Sequence, residues 1–411
     1  MKLLAVALNR FVTDIALMLP SRSGCKSGKN WSLNKRMKQP ERPTTRLVAL
    51  INILSPYRVP IYEHLAEQFE LLVLLAGSEG NRNWDAESLG HAIRVKTSKG
   101  ITLRRRVHGV DGGVQDLGYL HLNPGVVIDL LRFRPNAIIA NEMGLRSMIA
   151  IIYGRMFRTP VWIWSGVTAH SERARSRKKL RIRRFFFAKL TPRWISYGDA
   201  ATRYLTSIGV KRARILQIQN TVDDRLFRPG VEPIELQVSH PRALFVGQLI
   251  GRKGISELLH ATERLQSEGV ACSLVIVGDG PEAERVDAEI AQRGLARVQR
   301  IPKISPDLIP GIYAACDFLV FPTLEDIWGL VVNEALLVGI PVIASQYAGC
   351  AEELLPPDNI FDPLDSDAFL RVYRKAAQGL LEKPETRHLK AVNDVAHMIS
   401  EDVLAMVASR G

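Results

Sequence analysis

From Arg46 onward the chain alternates short apolar runs with amphipathic segments, and this rhythm constrains its fold more than any other feature. "LVALINIL" reads as a strand, "YRVPIYEHLAEQ" as a helix and "LLVLLAG" as a strand again. After a loop-rich stretch with many Gly and Arg residues come "VVIDLLRFR" (helix), "NAIIAN" (strand), "RSMIAIIYGRMF" (helix) and "PVWIWSG" (strand). Helix then dominates from Ser171 to about Leu190, followed by the strand "WISYG" and a helix, "AATRYLTSIG", ending at Gly209. Apolar strands separated by helices imply a parallel sheet covered on both faces.

"RPGVEPIELQVSHPR" (228–242) is rich in Pro and lacks periodicity, so the domain linker is expected there. A second series follows at once: "ALFVGQL", "SELLHATERLQSEG", "CSLVIVGDG", "EAERVDAEIAQRG", "VQRIP", "IPGIYAAC", "DFLVFPT", "GLVVNEALLVG" and "PVIAS". The 411 residues thus predict an α/β chain of two doubly wound domains in tandem, with a ligand cleft between them. Expected boundaries are 46–235 and 240–385, with 386–411 a C-terminal helix free to pack back on the first domain.

A net charge of +13 and an isoelectric point near 9.7 suggest an anionic partner: nucleic acid, an acidic membrane surface or a phosphorylated substrate. Cysteines 25, 272, 316 and 350 form no CxxC pair, and three lie in apolar surroundings. That favours a reducing compartment without structural zinc. No uninterrupted apolar stretch has the length of a membrane span. The first twenty residues resemble a secretory signal, but Asn9, Arg10 and Asp14 interrupt the apolar region and no convincing cleavage site follows. Residues 1–45 are read as a poorly ordered extension or an over-long start, with an interfacial anchor as the alternative.

The chemistry concentrates in the second half. "FVGQLIGRKGI" ends a strand, makes a glycine-rich turn and enters a helix. Gly247, Gly251 and Gly254 let backbone N–H groups approach a phosphate, and Arg252 and Lys253 add positive charge. The spacing matches neither a dinucleotide fingerprint nor a P-loop, and a turn with two solvated basic residues would also account for it. "VGDGPEAERV" is a similar strand–turn–helix entry with a structural reading of its own. More telling is "PTLEDIWGLVVNEALLVGIPVIAS". Gly329 places a helix N-terminus after a parallel strand, so the N–H groups of Leu330 and Val331 would face the cleft as a seat for diphosphate. Glu334, one turn further in, is costly to bury without partners. Bidentate acceptance of two ribose hydroxyls would satisfy it; an internal partner is the alternative. Asp326 lies in the loop ahead, where it would reach hydroxyls of the group attached to the diphosphate.

Together "VGQLIGRKGISELLHA", "LVIVGDGPEAERV" and "DFLVFPTLEDIWGLVVNEALLVGIPVIAS" resemble the group 1 retaining glycosyltransferases, which have the two-domain GT-B fold. The resemblance covers residues 240–365 in correct order; the first half is similar only through "SPYRVPIYEHL" and "SIGVKRARILQIQNTVDDRLFRP". It implies that Lys253 contacts the donor phosphates. The family's usual Arg in that loop is Gln248 here, with Arg252 placed to replace its charge. The family's acid–seven–acid motif becomes Asp326-x7-Glu334, with Trp328 where Phe is common. The resemblance assigns Glu334 to the donor ribose and Asp326 to the transferred sugar; Gly278 and Pro302 complete the donor side. It also implies same-face substitution through an oxocarbenium-like transition state, catalysed by positioning and by neutralising the departing diphosphate. No cofactor or divalent metal is implied, and Asp365-x-Asp367 lies away from the expected phosphate seat.

The first half would supply the acceptor. Arg58, at the first strand-to-helix turn, would face the cleft and the phosphates, a surface role being the alternative. His170, after "PVWIWSG", is the histidine best placed for the cleft, and Glu142 follows "NAIIAN" with similar standing. "SERARSRKKLRIRRFFFAKLTPRW" (171–194) combines basic charge with an apolar strip of Leu180, Ile182, Phe185 and Phe186. A solvated face or peripheral docking to anionic lipid would explain it; nucleic acid is disfavoured because no recognition motif accompanies the charge. The leading expectation is a cytoplasmic, membrane-associated glycosyltransferase using a nucleotide-sugar donor and a glycan or polyprenyl-linked acceptor in surface polysaccharide synthesis. The alternatives are a nucleotide-sugar epimerase of the same fold, or a non-catalytic binding protein.

Overall fold

The computed structural model describes residues 45–77, 93–108, 114–173, 176–302 and 304–410. Residues 1–44, with Cys25 and the expected extension, lie outside them. Both sheets described below belong to one unit, Pro43–Gly411.

In the N-terminal half the strands are β1 (Arg46–Ile51), β2 (Glu70–Leu75), β3 (Arg94–Thr97), β4 (Ile101–His108), β5 (Val114–Leu122), β6 (Ala137–Asn141), β7 (Val161–Ser165), β8 (Arg193–Tyr197) and β9 (Ile215–Ile218). Seven form a parallel sheet in the order β3-β2-β1-β6-β7-β8-β9. β4 and β5 make a separate antiparallel hairpin. This hairpin and β3 occupy the stretch expected to be loop. In "ITLRRRVH" the consecutive arginines hide the alternation that marks a strand. β9 is a further strand within the segment read as the passage to the linker.

The C-terminal half contributes β10 (Arg242–Val246), β11 (Ser273–Val277), β12 (Val298–Ile301), β13 (Phe318–Phe321), β14 (Val342–Ser345) and β15 (Ile360–Phe361). They form a second sheet in the order β12-β11-β10-β13-β14-β15, with parallel pairing throughout. Each order reverses once, between β1 and β6 and between β10 and β13. At such reversals the connections leave in opposite directions and open a crevice at the strands' carboxyl ends.

Val, Leu and Ile dominate the central strands, which are buried along nearly their whole length, as helix-covered parallel strands must be. One apolar cluster covers the outer face of the first sheet and another that of the second. A third runs through both domains, joining Leu47 and Trp162 to Leu319 and Trp328.

The last helix, Val392–Ala408, begins six residues after the expected start at residue 386 and packs on the N-terminal domain. There the Asp402 carboxylate accepts from Trp162 Nε1 at 2.7 Å and from the Arg193 guanidinium. A helix at Ser366–Ala377 was not anticipated, and it explains the Asp-x-Asp pair. Asp365 is its N-cap, accepting from the backbone N–H groups of Asp367 (3.1 Å) and Ala368 (2.9 Å). Asp367 pairs with Arg264 at 2.9 Å.

Candidate nucleotide-sugar site

The loops that follow β10 and β13 meet at the reversal point of the second sheet. The Arg252 carbonyl accepts from Leu324 N–H at 2.9 Å and from Thr323 Oγ1 at 3.0 Å. Gly254 makes this approach possible. It has φ +71°, and a Cβ there would lie 2.0 Å from the Pro322 carbonyl oxygen, so no other residue fits without separating the loops. Gly329, with φ +104°, caps the helix Leu330–Val338 and turns the chain past the Phe321 ring. Leu330 and Val331 form the first turn of that helix.

Lys253 and Asp326 are brought together from these two loops. Lys253 Nζ lies 2.5 Å from Asp326 Oδ2, each side chain only about one-seventh exposed, and 5.4 Å from the centre of the Phe321 ring. Asp326 is held from all sides: Oδ1 accepts from Trp328 N–H at 3.1 Å, its N–H donates to Tyr347 O at 3.3 Å, and its carbonyl accepts from Gly349 N–H at 3.1 Å. Burial works to raise its carboxyl, yet Lys253 and Arg252 hold it below the usual range, so it is ionised at neutral pH. The Arg252 guanidinium itself donates to the Glu325 carbonyl at 3.1 Å. Gln248 sits half-buried in the same turn.

Glu334 behaves in the opposite way. Burial lifts its carboxyl to about 7, against the pull of a hydrogen bond from the Tyr313 hydroxyl to Oε2 at 2.6 Å. Its other oxygen has no hydrogen bond among the described residues. Tyr313 is fully buried and its ring meets Phe227 edge-on at 5.9 Å. Sequence reasoning missed this partner, because a tyrosine on a buried helix face reads as core. The site therefore holds one carboxylate kept charged by a lysine and a second, eight residues on, poised between charge states.

Gly247 and Gly278 lie at the ends of adjacent strands, Gly247 N–H donating to Val277 O at 3.0 Å. Pro302 ends the edge strand β12, exposed, with β11 between it and β10. His170 comes from the N-terminal domain to the rim of the acid loop. Its Nε2 lies 2.9 Å from the Leu324 carbonyl, to which it donates, and its ring stacks on Tyr347 at 4.3 Å. Beside it, Arg173 pairs with Glu325 at 2.6 Å. The histidine thus bridges the domains. Arg58 and Glu142 lie at the reversal point of the first sheet, Arg58 buried and Glu142 with φ +65°. Cys272, Cys316 and Cys350 are buried free thiols.

Two doubly wound domains in tandem define the GT-B fold. HepE from Anabaena, solved with UDP and with UDP-glucose, superposes with TM-scores of 0.62 and 0.61 at 18% and 17% identity. Each alignment covers 89% of this chain and 98% of that one. Residues 232–388 match the family model of glycosyl transferases group 1. Among the chain's relatives, the sulfoquinovosyl transferase SQD2 of Arabidopsis thaliana is 25% identical over 298 residues, 66% of this chain and 54% of its own. The putative colanic acid biosynthesis glycosyltransferase WcaL of Escherichia coli is 26% identical over 198 residues, 42% and 48% of the two chains. The chain thus spans about half the length of these relatives.

Proposed function

We propose that the protein is a retaining hexosyltransferase that moves a sugar from a nucleotide-diphosphate donor to a glycan or polyprenyl-linked acceptor in surface polysaccharide synthesis. The observation that carries this reading is the largely buried Lys253–Asp326 pair ahead of the helix Leu330–Val338, on which Glu334 is buried with one oxygen held by Tyr313. Glu334 would take the donor ribose through its open oxygen, Asp326 the hydroxyls of the transferred sugar. The diphosphate would sit against the first turn of the helix, with Lys253 and Arg252 neutralising charge as it departs. These cations supply the electrophilic role of a metal, so activity should persist in chelator. Retention would follow from same-face attack, the leaving phosphate helping to take the acceptor proton.

The test is donor consumption and transfer across UDP-, GDP- and ADP-sugars, with Glu334→Ala as control and the product's anomeric configuration read by NMR. No donor consumed, together with no thermal shift by any nucleotide, would overturn the reading.

The acceptor class accords with a basic, partly apolar surface on the N-terminal domain. On the segment 177–188 the Ile182 and Phe185 side chains are each 54% exposed, beside exposed Lys178, Arg181 and Arg184. No helix among the described residues is long and apolar enough to cross a membrane. Peripheral docking at the cytoplasmic face is therefore proposed. The protein should float with liposomes containing anionic lipid and not with neutral ones, and Ile182→Asp/Phe185→Asp should remain at the bottom of the gradient. Equal flotation of that variant would remove this surface from the account.

A further inference from the structure

Where the first sheet's order reverses, a guanidinium is buried with no carboxylate paired to it, the Tyr62 hydroxyl being its polar neighbour. Arg58 follows β1, is only 9% exposed, and its Nη1 makes no hydrogen bond. Among the described residues no carboxylate forms an ion pair with it, and Glu142 acts on it only through space. Its Cζ lies 4.5 Å from the ring centre of Trp164 and 5.4 Å from that of Tyr197. The Tyr197 hydroxyl, Trp164 Nε1 and Asn141 Oδ1 are likewise buried and unpartnered. Tyr62, Trp164 and Tyr197 share one apolar cluster, and Asn141 pairs in register with Trp164. Next to Asn141, Glu142 takes a left-handed conformation that a non-glycine residue adopts at a cost, a form of strain concentrated at binding sites.

Arginine is charged at any accessible pH. Aromatic stacking offsets part of the cost of burying that charge, and an anion would offset the rest. The planar fork, held flat by the rings, suits two oxygens of one tetrahedral oxyanion. We propose that Arg58 is the oxyanion-binding residue of a second subsite, in the N-terminal domain, taking a phosphate group of the substrates. The phosphate comes either from the acceptor, which would then be a phosphorylated carrier, or from the donor diphosphate reaching across the cleft. This inference rests on the function proposed above.

Calorimetric titration of the full chain with inorganic phosphate, alone and with saturating UDP, tests it. Arg58→Gln should bind phosphate at least about tenfold more weakly than the unaltered protein. Phosphate binding that persists beside UDP and is lost in Arg58→Gln identifies the acceptor as the source. Phosphate displaced by UDP, with UDP weakened by the same substitution, identifies the donor. Equal phosphate affinity in the two proteins, or no phosphate binding by the unaltered one, overturns the site. Should Arg58→Gln fail to fold, Arg58→Lys keeps the charge and loses the fork; a loss of about threefold is expected, and unchanged affinity overturns the proposal. Phosphate bound through Arg58 in a chain that binds no nucleotide would leave the subsite standing and sink the glycosyltransferase reading instead.

Discussion

Glu334→Gln should lose UDP affinity by at least about 100-fold, the equivalent of two charge-assisted hydrogen bonds, and should melt at a higher temperature than the unaltered protein above pH 7. The two effects have one cause. Burial raises this carboxyl from 4.5 to about 7 in the folded chain. A raised value means that the unfolded chain releases its proton first. Stability is therefore full below about pH 4.5 and is lost as pH climbs through 7, by something on the order of 3 kcal/mol. Glutamine keeps the shape and escapes that loss. Melting curves at pH 5, 6, 7 and 8 should show a gap between the two proteins that opens with pH and levels off above 7. A gap independent of pH would remove the carboxyl's ionisation as its cause. Nucleotide affinity of the unaltered protein should run the other way, weakening by up to tenfold per unit as pH falls below about 7. Tight UDP binding by Glu334→Gln would dispose of the ribose clamp.

Lys253→Ala should reduce turnover of the preferred donor by about 10²- to 10³-fold, the loss typical of removing one group that stabilises developing negative charge. It should also destabilise the fold, because Asp326 is left charged in a largely closed loop with Arg252 as its remaining cation. The side chains are 15% and 14% exposed, so the expected cost is about 2 kcal/mol, below the 3–5 of a fully buried pair. Lys253→Ala/Asp326→Ala should recover part of that stability and none of the turnover. Urea titrations of the four proteins measure the coupling; strictly additive losses would show that the two side chains do not depend on each other. Turnover within a few-fold of normal in Lys253→Ala would exclude its role toward the leaving group.

Much of this was legible before any coordinates. The second domain could be read because its strands are continuous apolar runs and its loops combine glycines with charges at fixed intervals. Lys253, Asp326 and Glu334 stand out because a charge at an otherwise apolar strand end or helix needs a reason. Tyr313 does not stand out, since its hydroxyl has meaning only beside Glu334, 21 residues further along. His170 likewise offers no signal of its partners, which are 154 and 177 residues away on the other domain. Arginines obscured the β4–β5 hairpin, and the helix that Asp365 caps went unread after the last expected strand.

Two segments of chain pass between the domains, one leaving the first sheet near Gln219 and one returning ahead of Val392. They touch: Thr221 Oγ1 donates to Lys390 O at 2.8 Å, and Lys390 N–H to Gln219 Oε1 at 2.9 Å. A body tethered at a single point can swing and twist in any direction. One tethered by two adjoining, cross-linked straps keeps a single easy motion, rotation about the line they define, like a door on paired pins.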